Sequence, residues 1–482
     1  MRVRIGSAGL KAGRDIMVAP MGASFSRTQT NTTGAQQTGP AYAWYVVLAL
    51  TAIYMLSYVD RQILSLLVAP MKRDLGISDT RVGLLQGLAF GLFYTFMGLP
   101  LGRMADTMSR RKLIAVGIVL WSFFTSACSV ARSFWSLFLA RMGVGVGEAS
   151  LSPAAYSLIA DYFPGERLGV AISVYYMGVF LGSSLSLLVT GTLIDALAHT
   201  PVIHVPLLGA MASWRITFLL VGLPGLLFAL LVYTIREPLR RDLLRTRSGE
   251  ASRLSVREVL KEVGARGRSL AGISIGAIFQ AVPTYALISW TPTYFQRVHG
   301  WTPGQSGRGL ALLLLLFGCT GMYAGGRLSD YWQKHGVSEG PLRVGVVCAM
   351  GSVLLLPPAF LASNVDWIFV LLGPGIFFLA LPMGTSAAAL QRIFPNQARG
   401  QVSALFLFLL NLGGLSLGPL MPGLLNDRVF HSGKMIGASL AITIGSASLL
   451  MLLSFRATYR VYRADWASLA TQREGRADAL RS

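Results

Sequence analysis

Acidic residues are scarce in this chain. Its 482 residues hold 21 Asp and Glu against 42 Lys and Arg, and charged residues of both signs make up only 13%. An ordinary soluble domain carries roughly a quarter charged residues, so a water-exposed surface over this whole length is excluded. Cysteine is also nearly missing. Cys128, Cys319 and Cys348 are odd in number, scattered and inside apolar runs, which excludes a disulfide framework and a cysteine-based metal site. The five histidines, His199, His204, His299, His335 and His431, fall between apolar runs, so the side chain that most readily changes charge near neutral pH is kept out of the apolar interior. No Gly-rich loop followed by Lys and Ser or Thr occurs, and no paired histidines. An enzyme acting on lipids is therefore disfavoured, and no cofactor is expected. Residues 1–40 are rich in Ser, Thr, Gly and Gln without the apolar core of a cleavable signal, which predicts a disordered tail.

Apolar length is what the chain has in abundance. Hydrophobic residues make up 53%, and a spanning helix needs about 20 mostly apolar residues. Twelve runs qualify, from Trp44–Ala69 through a fourth at Trp135–Ala160 to a last at Met435–Phe455. The net charge of +21 would suit nucleic acid, but most Lys and Arg fall in loops on the side shared with both termini. That is the positive-inside pattern of a multi-pass membrane protein with both ends in the cytoplasm, here the inner membrane of a bacterium, and it makes a nucleic-acid partner unnecessary. Arg456, Arg460 and Arg463, interleaved with Tyr459 and Tyr462 just after the last run, suit contacts with anionic membrane lipids.

Two sequence echoes divide the chain. Gly102-Arg103-Met104-Ala105-Asp106 after the second run recurs as Gly326-Arg327-Leu328-Ser329-Asp330 after the eighth. Phe163-Pro164 with Gly169 recurs as Phe394-Pro395 with Gly400. The matches are in order and at similar offsets, which predicts a duplicated six-helix unit: bundles at 41–235 and 269–455, a cytoplasmic linker at 236–268 and a tail at 456–482. In the linker, Ser255 and Glu258 have capping-box spacing ahead of Val259, Leu260 and Val263, which predicts a short amphipathic surface helix. Gly83, Gly87 and Gly91 on the second run, and Gly414 and Gly418 on the eleventh, have the small-residue spacing that lets helices approach closely.

The segment GRMADTMSRRK, Gly102–Lys112, resembles the signature between the second and third spans of the major facilitator superfamily. Thr107 and Ser109 depart from it. The resemblance implies an all-α membrane fold of twelve helices in two pseudo-symmetric bundles. It also implies an inner gate formed by Asp106, Arg110, Arg111 and the echoed Asp330. Three further segments, Ser57-Tyr58-Val59-Asp60-Arg61, Gly83–Gly87 and Arg141–Ser150 with its Gly-Glu-Ala-Ser ending, resemble the Spinster branch of that superfamily, which implies a lipid-like cargo.

Four charges, Asp60, Arg61, Arg141 and Glu148, lie inside apolar runs, where each costs about 2.5 to 3.5 kcal/mol even on a mild insertion scale. At about 1.5 Å per residue, Asp60 and Arg141 lie at similar depths. Glu148, two turns beyond Arg141, projects from the same face of its helix. The arrangement predicts a proton-titrating pair, Asp60 and Glu148, with Arg141 as their switchable partner. Arg61 is expected to meet an anionic headgroup, with Tyr58 beside it. The second half offers Gln280, Tyr285 and Asn411 amid long apolar tracts, and Pro283 and Pro292 on the seventh run remove backbone donors and predict a bend. The expected function is proton-coupled transport of an amphipathic lipid, such as a lysophospholipid, by alternating access. The alternative is an organic-anion symporter on the same fold.

Overall fold

The computed structural model describes residues 39–163, 165–200, 202–205, 209–238, 256–394 and 396–479. The tail before residue 39 and most of the linker, including Ser255, lie outside them. The apolar runs are helical, as a backbone in lipid must satisfy its own donors and acceptors. The first half comprises α1 (Pro40–Leu66), α2 (Val68–Leu75), α3 (Asp79–Gln86), α4 (Leu88–Thr107), α5 (Arg110–Ala127), α6 (Phe134–Glu148), α7 (Leu151–Tyr162) and α8 (Gly165–Leu197). A two-stranded hairpin follows, with β1 (Val202–Val205) antiparallel to β2 (Gly209–Ala212). Then come α9 (Ser213–Gly222) and α10 (Pro224–Tyr233). A short helix, α11 (Val256–Ala265), follows at the end of the linker. The second half holds α12 (Gly267–His299), α13 (Pro303–Leu313), α14 (Cys319–Lys334), α15 (Gly340–Leu361), α16 (Val365–Ala380), α17 (Thr385–Ile393), α18 (Asn396–Leu410), α19 (Ser416–Arg428) and α20 (Ile436–Ala479).

Among the described residues, eleven helical segments are long and apolar enough to cross a membrane. The fourth expected span is not among them. It is split into α6 and α7 around Ala149-Ser150, so neither piece reaches the length of about 20 residues that crossing requires; end to end they occupy the fourth position. Pro283 and Pro292 do not interrupt α12, which runs unbroken through both. α20 continues well past Phe455 through the expected tail. Glycines in the left-handed region, Gly76 at φ 61° and Gly300 at φ 69°, end α2 and α12, a conformation that glycine adopts without the clash a Cβ would bring.

Connectivity gives the bundle two ends. We call the end holding Pro40, Thr107, Arg110 and Lys334 the near face, and the end holding Gly76, Asp79, His299 and Arg428 the far face. At the far face one apolar core unites both halves, joining Ile63, Leu67 and Trp214 of the first with Trp290, Phe295 and Ile444 of the second. Toward the near face the first half has its own core around Val46, Trp121, Leu158 and Tyr175, to which the second half adds Leu415. Polar links between the halves follow the same division. Arg297 of α12 grips Asp79 of α3 with two bonds of 2.6 and 2.8 Å, and Asn426 of α19 adds a third of 3.0 Å. Glycine stripes permit this closeness: a Cβ on Gly83 would lie 2.5 Å from the Pro419 carbonyl oxygen, and one on Gly87 2.7 Å from that of Leu415. Two π-helical turns, Leu314–Gly318 and Asn411–Leu415, lie where this joint ends, with Gly318 against Phe180 and Leu415 against Gly91.

Candidate functional site

The four intramembrane charges gather between α1 and α6. Asp60, Arg141 and Glu148 are each only 1% exposed. Arg61 Nε donates to Glu148 Oε2 at 2.6 Å, and its guanidinium sits over the rings of Tyr58, Phe90 and Tyr94 at 4.8, 4.7 and 4.7 Å. Arg61 is therefore neutralised by an acid and caged by aromatic faces, a setting in which a planar guanidinium is favoured over an ammonium. Arg141 sends Nη1 to the main-chain oxygen of Asp60 at 3.1 Å rather than to its carboxylate. Among the described residues, Asp60 Oδ1 and Glu148 Oε1 have no hydrogen-bond partner. The pairing in the structure is thus Arg61 with Glu148, while Arg141 holds the α1 backbone.

A cavity opens beside this cluster, bounded by Tyr58, Arg61, Gln62, Gln86, Phe90 and Arg141 from the first half and by Tyr285, Ser289, Leu415 and Pro419 from the second. Of the expected substrate contacts it gathers Tyr58, Arg61 and Tyr285. Gln280 is turned elsewhere, its amide donating to the Leu379 carbonyl at 3.2 Å and to Thr284. Asn411 opens the π-helical turn of the eleventh span and does not line this cavity. A stack of tyrosines extends from the cluster, with Tyr54 parallel to Tyr175 at 4.6 Å and Tyr156 edge-on to Tyr175 at 5.5 Å. Sequence reasoning passed over these rings, although Tyr54 and Tyr58 stand one helical turn apart.

The expected gate residues separate into two groups. Arg110, 1% exposed, pairs with Asp161 and with Glu237 at 2.8 Å, and it also donates to Ser157 Oγ and the Pro238 carbonyl. The Arg111 amide donates to Glu237 at 2.9 Å. Ser109 caps α5 and bonds Glu237 at 2.8 Å. Partial burial pushes the Glu237 carboxyl up, but the Arg111 amide, the Arg110 guanidinium and the Ser109 hydroxyl outweigh it and hold Glu237 below the usual carboxylate range. The side chain of Asp106 lies outside the described residues. Asp330, on α14, forms no ion pair among them. Glu237 and Asp161 escaped sequence reasoning because charges at the ends of apolar runs are unremarkable.

The second half carries a matching clamp with the charges exchanged. Glu339, just before α15, bonds Arg463 of α20 at 2.5 Å and Arg343 at 2.9 Å. Burial raises the Glu339 carboxyl, and the two guanidiniums overcome it, bringing it down to about 2. Arg463 is thereby directed to Glu339 as well as toward the surface where lipid headgroups were expected.

Residues 50–419 match the family profile of the Major Facilitator Superfamily. An MFS-type efflux pump of Mycolicibacterium smegmatis is 28% identical, covering 90% of this chain and 97% of that protein. A hexuronate transporter of Bacillus subtilis is 25% identical over 82% of this chain and 92% of its own length. The crystal structure of a bacterial homologue of the human lysosomal transporter Spinster, inward-facing and occupied, superposes with a TM-score of 0.69 at 25% identity, covering 89% of this chain and 97% of that one.

Proposed function

The chain belongs to the major facilitator superfamily and is a multi-pass membrane transporter, and from that premise we propose that it couples proton movement to transport of an amphipathic, lipid-like cargo by alternating access. The observation that carries this reading is the cluster of buried Asp60, Arg141 and Glu148 with Arg61, which opens onto a cavity shared by both halves. Groups so costly in lipid are kept for transport far more often than for stability. Asp60 and Glu148 are the proton carriers. When Glu148 is protonated its hold on Arg61 weakens, and the freed guanidinium becomes a bidentate site for an anionic headgroup at the cavity wall. Tyr58 and Tyr285 flank that site, and the apolar second half, with Asn411 and Gln280 among its few polar groups, receives the tail. Both termini lie in the cytoplasm of a bacterial cell, so the far face is periplasmic and the shared core there closes the outside. Arg110 and Arg111, with Asp106 and Asp330, control the inner opening.

The test is reconstitution into liposomes under an imposed pH gradient, following labelled lysophospholipid. The wild type accumulates lipid in step with the gradient, and Asp60→Asn and Glu148→Gln lose that dependence. Unchanged dependence in both variants removes the proton assignment. A second reading, an organic-anion symporter, is favoured by the hexuronate transporter among the relatives. Saturable, gradient-driven hexuronate uptake that lysolipid does not inhibit would select it.

A further inference from the structure

We propose that Trp121 and Thr125 on α5 are positioning residues for the proton at Asp60: they supply the hydrogen bonds that its carboxylate takes up when the proton leaves. This rests on the proton-coupled reading above. Both residues face the Asp60 carboxyl group, one turn apart on α5 and therefore on one face of the helix. Both are wholly buried at 0% exposure. The indole Nε1 of Trp121, the hydroxyl of Thr125 and Asp60 Oδ1 each lack a completed hydrogen bond.

Buried polar atoms without partners are rare, because they lose water and gain nothing in exchange. Two donors and an acceptor orphaned at one spot are a mutual solution awaiting a small movement. An indole N–H can only donate, so it favours the ionised carboxylate, which accepts at both oxygens, over the acid, which must place its own proton. The other charged and titratable groups facing Asp60 are Arg141 and Glu148 on α6, with the Cys128 thiol beyond α5; α8 contributes the hydroxyl of Ser186, already bonded to the Val59 carbonyl at 3.1 Å. Arg141 donates through Nη1 to the Asp60 main chain, and its Nε, like the α5 donors, has no partner among the described residues; the α5 pair are the neutral donors beside this charged one. The approach of α5 to α6 is fixed by Gly147, where a Cβ would lie 2.6 Å from the Trp121 amide nitrogen. Movement of α5 relative to α1 then makes or breaks both bonds together.

The experiment titrates the proton itself, with no cargo. Full-length protein in lipid nanodiscs is followed by infrared difference spectroscopy of the protonated-carboxyl stretch, and the Asp60 band is identified by its loss in Asp60→Asn. Trp121→Phe and Thr125→Val are each expected to raise the midpoint of that band by about one pH unit or more, since each removes a hydrogen bond to a charged group, and Thr125→Ser restores it. Should Trp121→Phe not fold, Thr125→Val with its serine control decides alone. An unmoved midpoint in folded variants overturns the positioning role while leaving the proton reading intact. If Asp60→Asn removes no titrating band, Asp60 is not a proton carrier, and that part of the proton reading falls and takes this one with it.

Discussion

The Arg61–Glu148 bond joins two groups that are each expensive to bury and tolerable together. Removing either partner strands the other in a low-dielectric setting, at a cost of about 3 to 5 kcal/mol, whereas removing both is far cheaper. Arg61→Ala and Glu148→Ala should therefore each lower thermal stability in detergent sharply, and the double variant should melt above the sum of the two losses. Additive losses would mean that the pair is electrostatically inert. The four charges were legible in the sequence because nothing else explains polar groups inside apolar runs. Their partners were not. Spacing fixes which face of a helix a residue occupies, but the rotation of α1 against α6 decides that Glu148 meets Arg61 and that Arg141 meets a carbonyl. Asp79, only 1% exposed, was invisible for the opposite reason: it opens a span, where a charge raises no question.

Among the elements, the two clamps of the near face are built to the same plan with reversed polarity. In the first half Arg110 opens the third span and Glu237 follows the sixth; in the second, Glu339 precedes the ninth and Arg463 lies on the twelfth. Each ties the third helix of its own bundle to the sixth. Because Glu237 is held below the usual carboxylate range in the folded protein, its contribution is complete at neutral pH and disappears as acid takes the pH below the ordinary glutamate value and through the depressed one. Glu237→Gln should accordingly lower the melting temperature at pH 7, and the gap from wild type should close as the pH falls toward 3. A constant gap would place the loss in packing instead. The sequence echo after the second and eighth spans announced the duplication, yet the clamps carry no echo, since exchanging the charges preserves the contact and erases the resemblance. The split of the fourth span at Ala149-Ser150 was equally hidden, because composition does not reveal a break inside a continuous apolar run.

At the scale of the molecule the far face is closed by a reciprocal pair of helix caps. Asp427 of α19 accepts from the Thr80 and Asp79 amides at the start of α3, at 2.6 and 3.3 Å. Asp195 of α8 accepts from the Gly304 amide at 3.1 Å and the Thr302 hydroxyl at 2.9 Å at the start of α13. Each half thus satisfies exposed amides of the other, and a lost cap costs about 1 kcal/mol, roughly a fivefold change in population. In Asp195→Ala with Asp427→Ala, spin labels placed across the far face should show a longer-distance population that the wild type lacks. Gly83→Leu, wedging a side chain against the Pro419 carbonyl, should do the same. Unaltered distance distributions in both would relocate the closure to the apolar core alone.

Lys72 reaches Asp79 from its own half at 2.5 Å. In the alternating access proposed above, as the bundles part on that side and Arg297 withdraws, this lysine remains with the carboxylate as a resident counter-ion, and Arg297 keeps the Gly433 carbonyl it already touches at 3.3 Å. Separation then swaps one neighbour for water without stranding a bare ion, so the far-face seal is reversible by design of its attendants rather than by weakness of its bond.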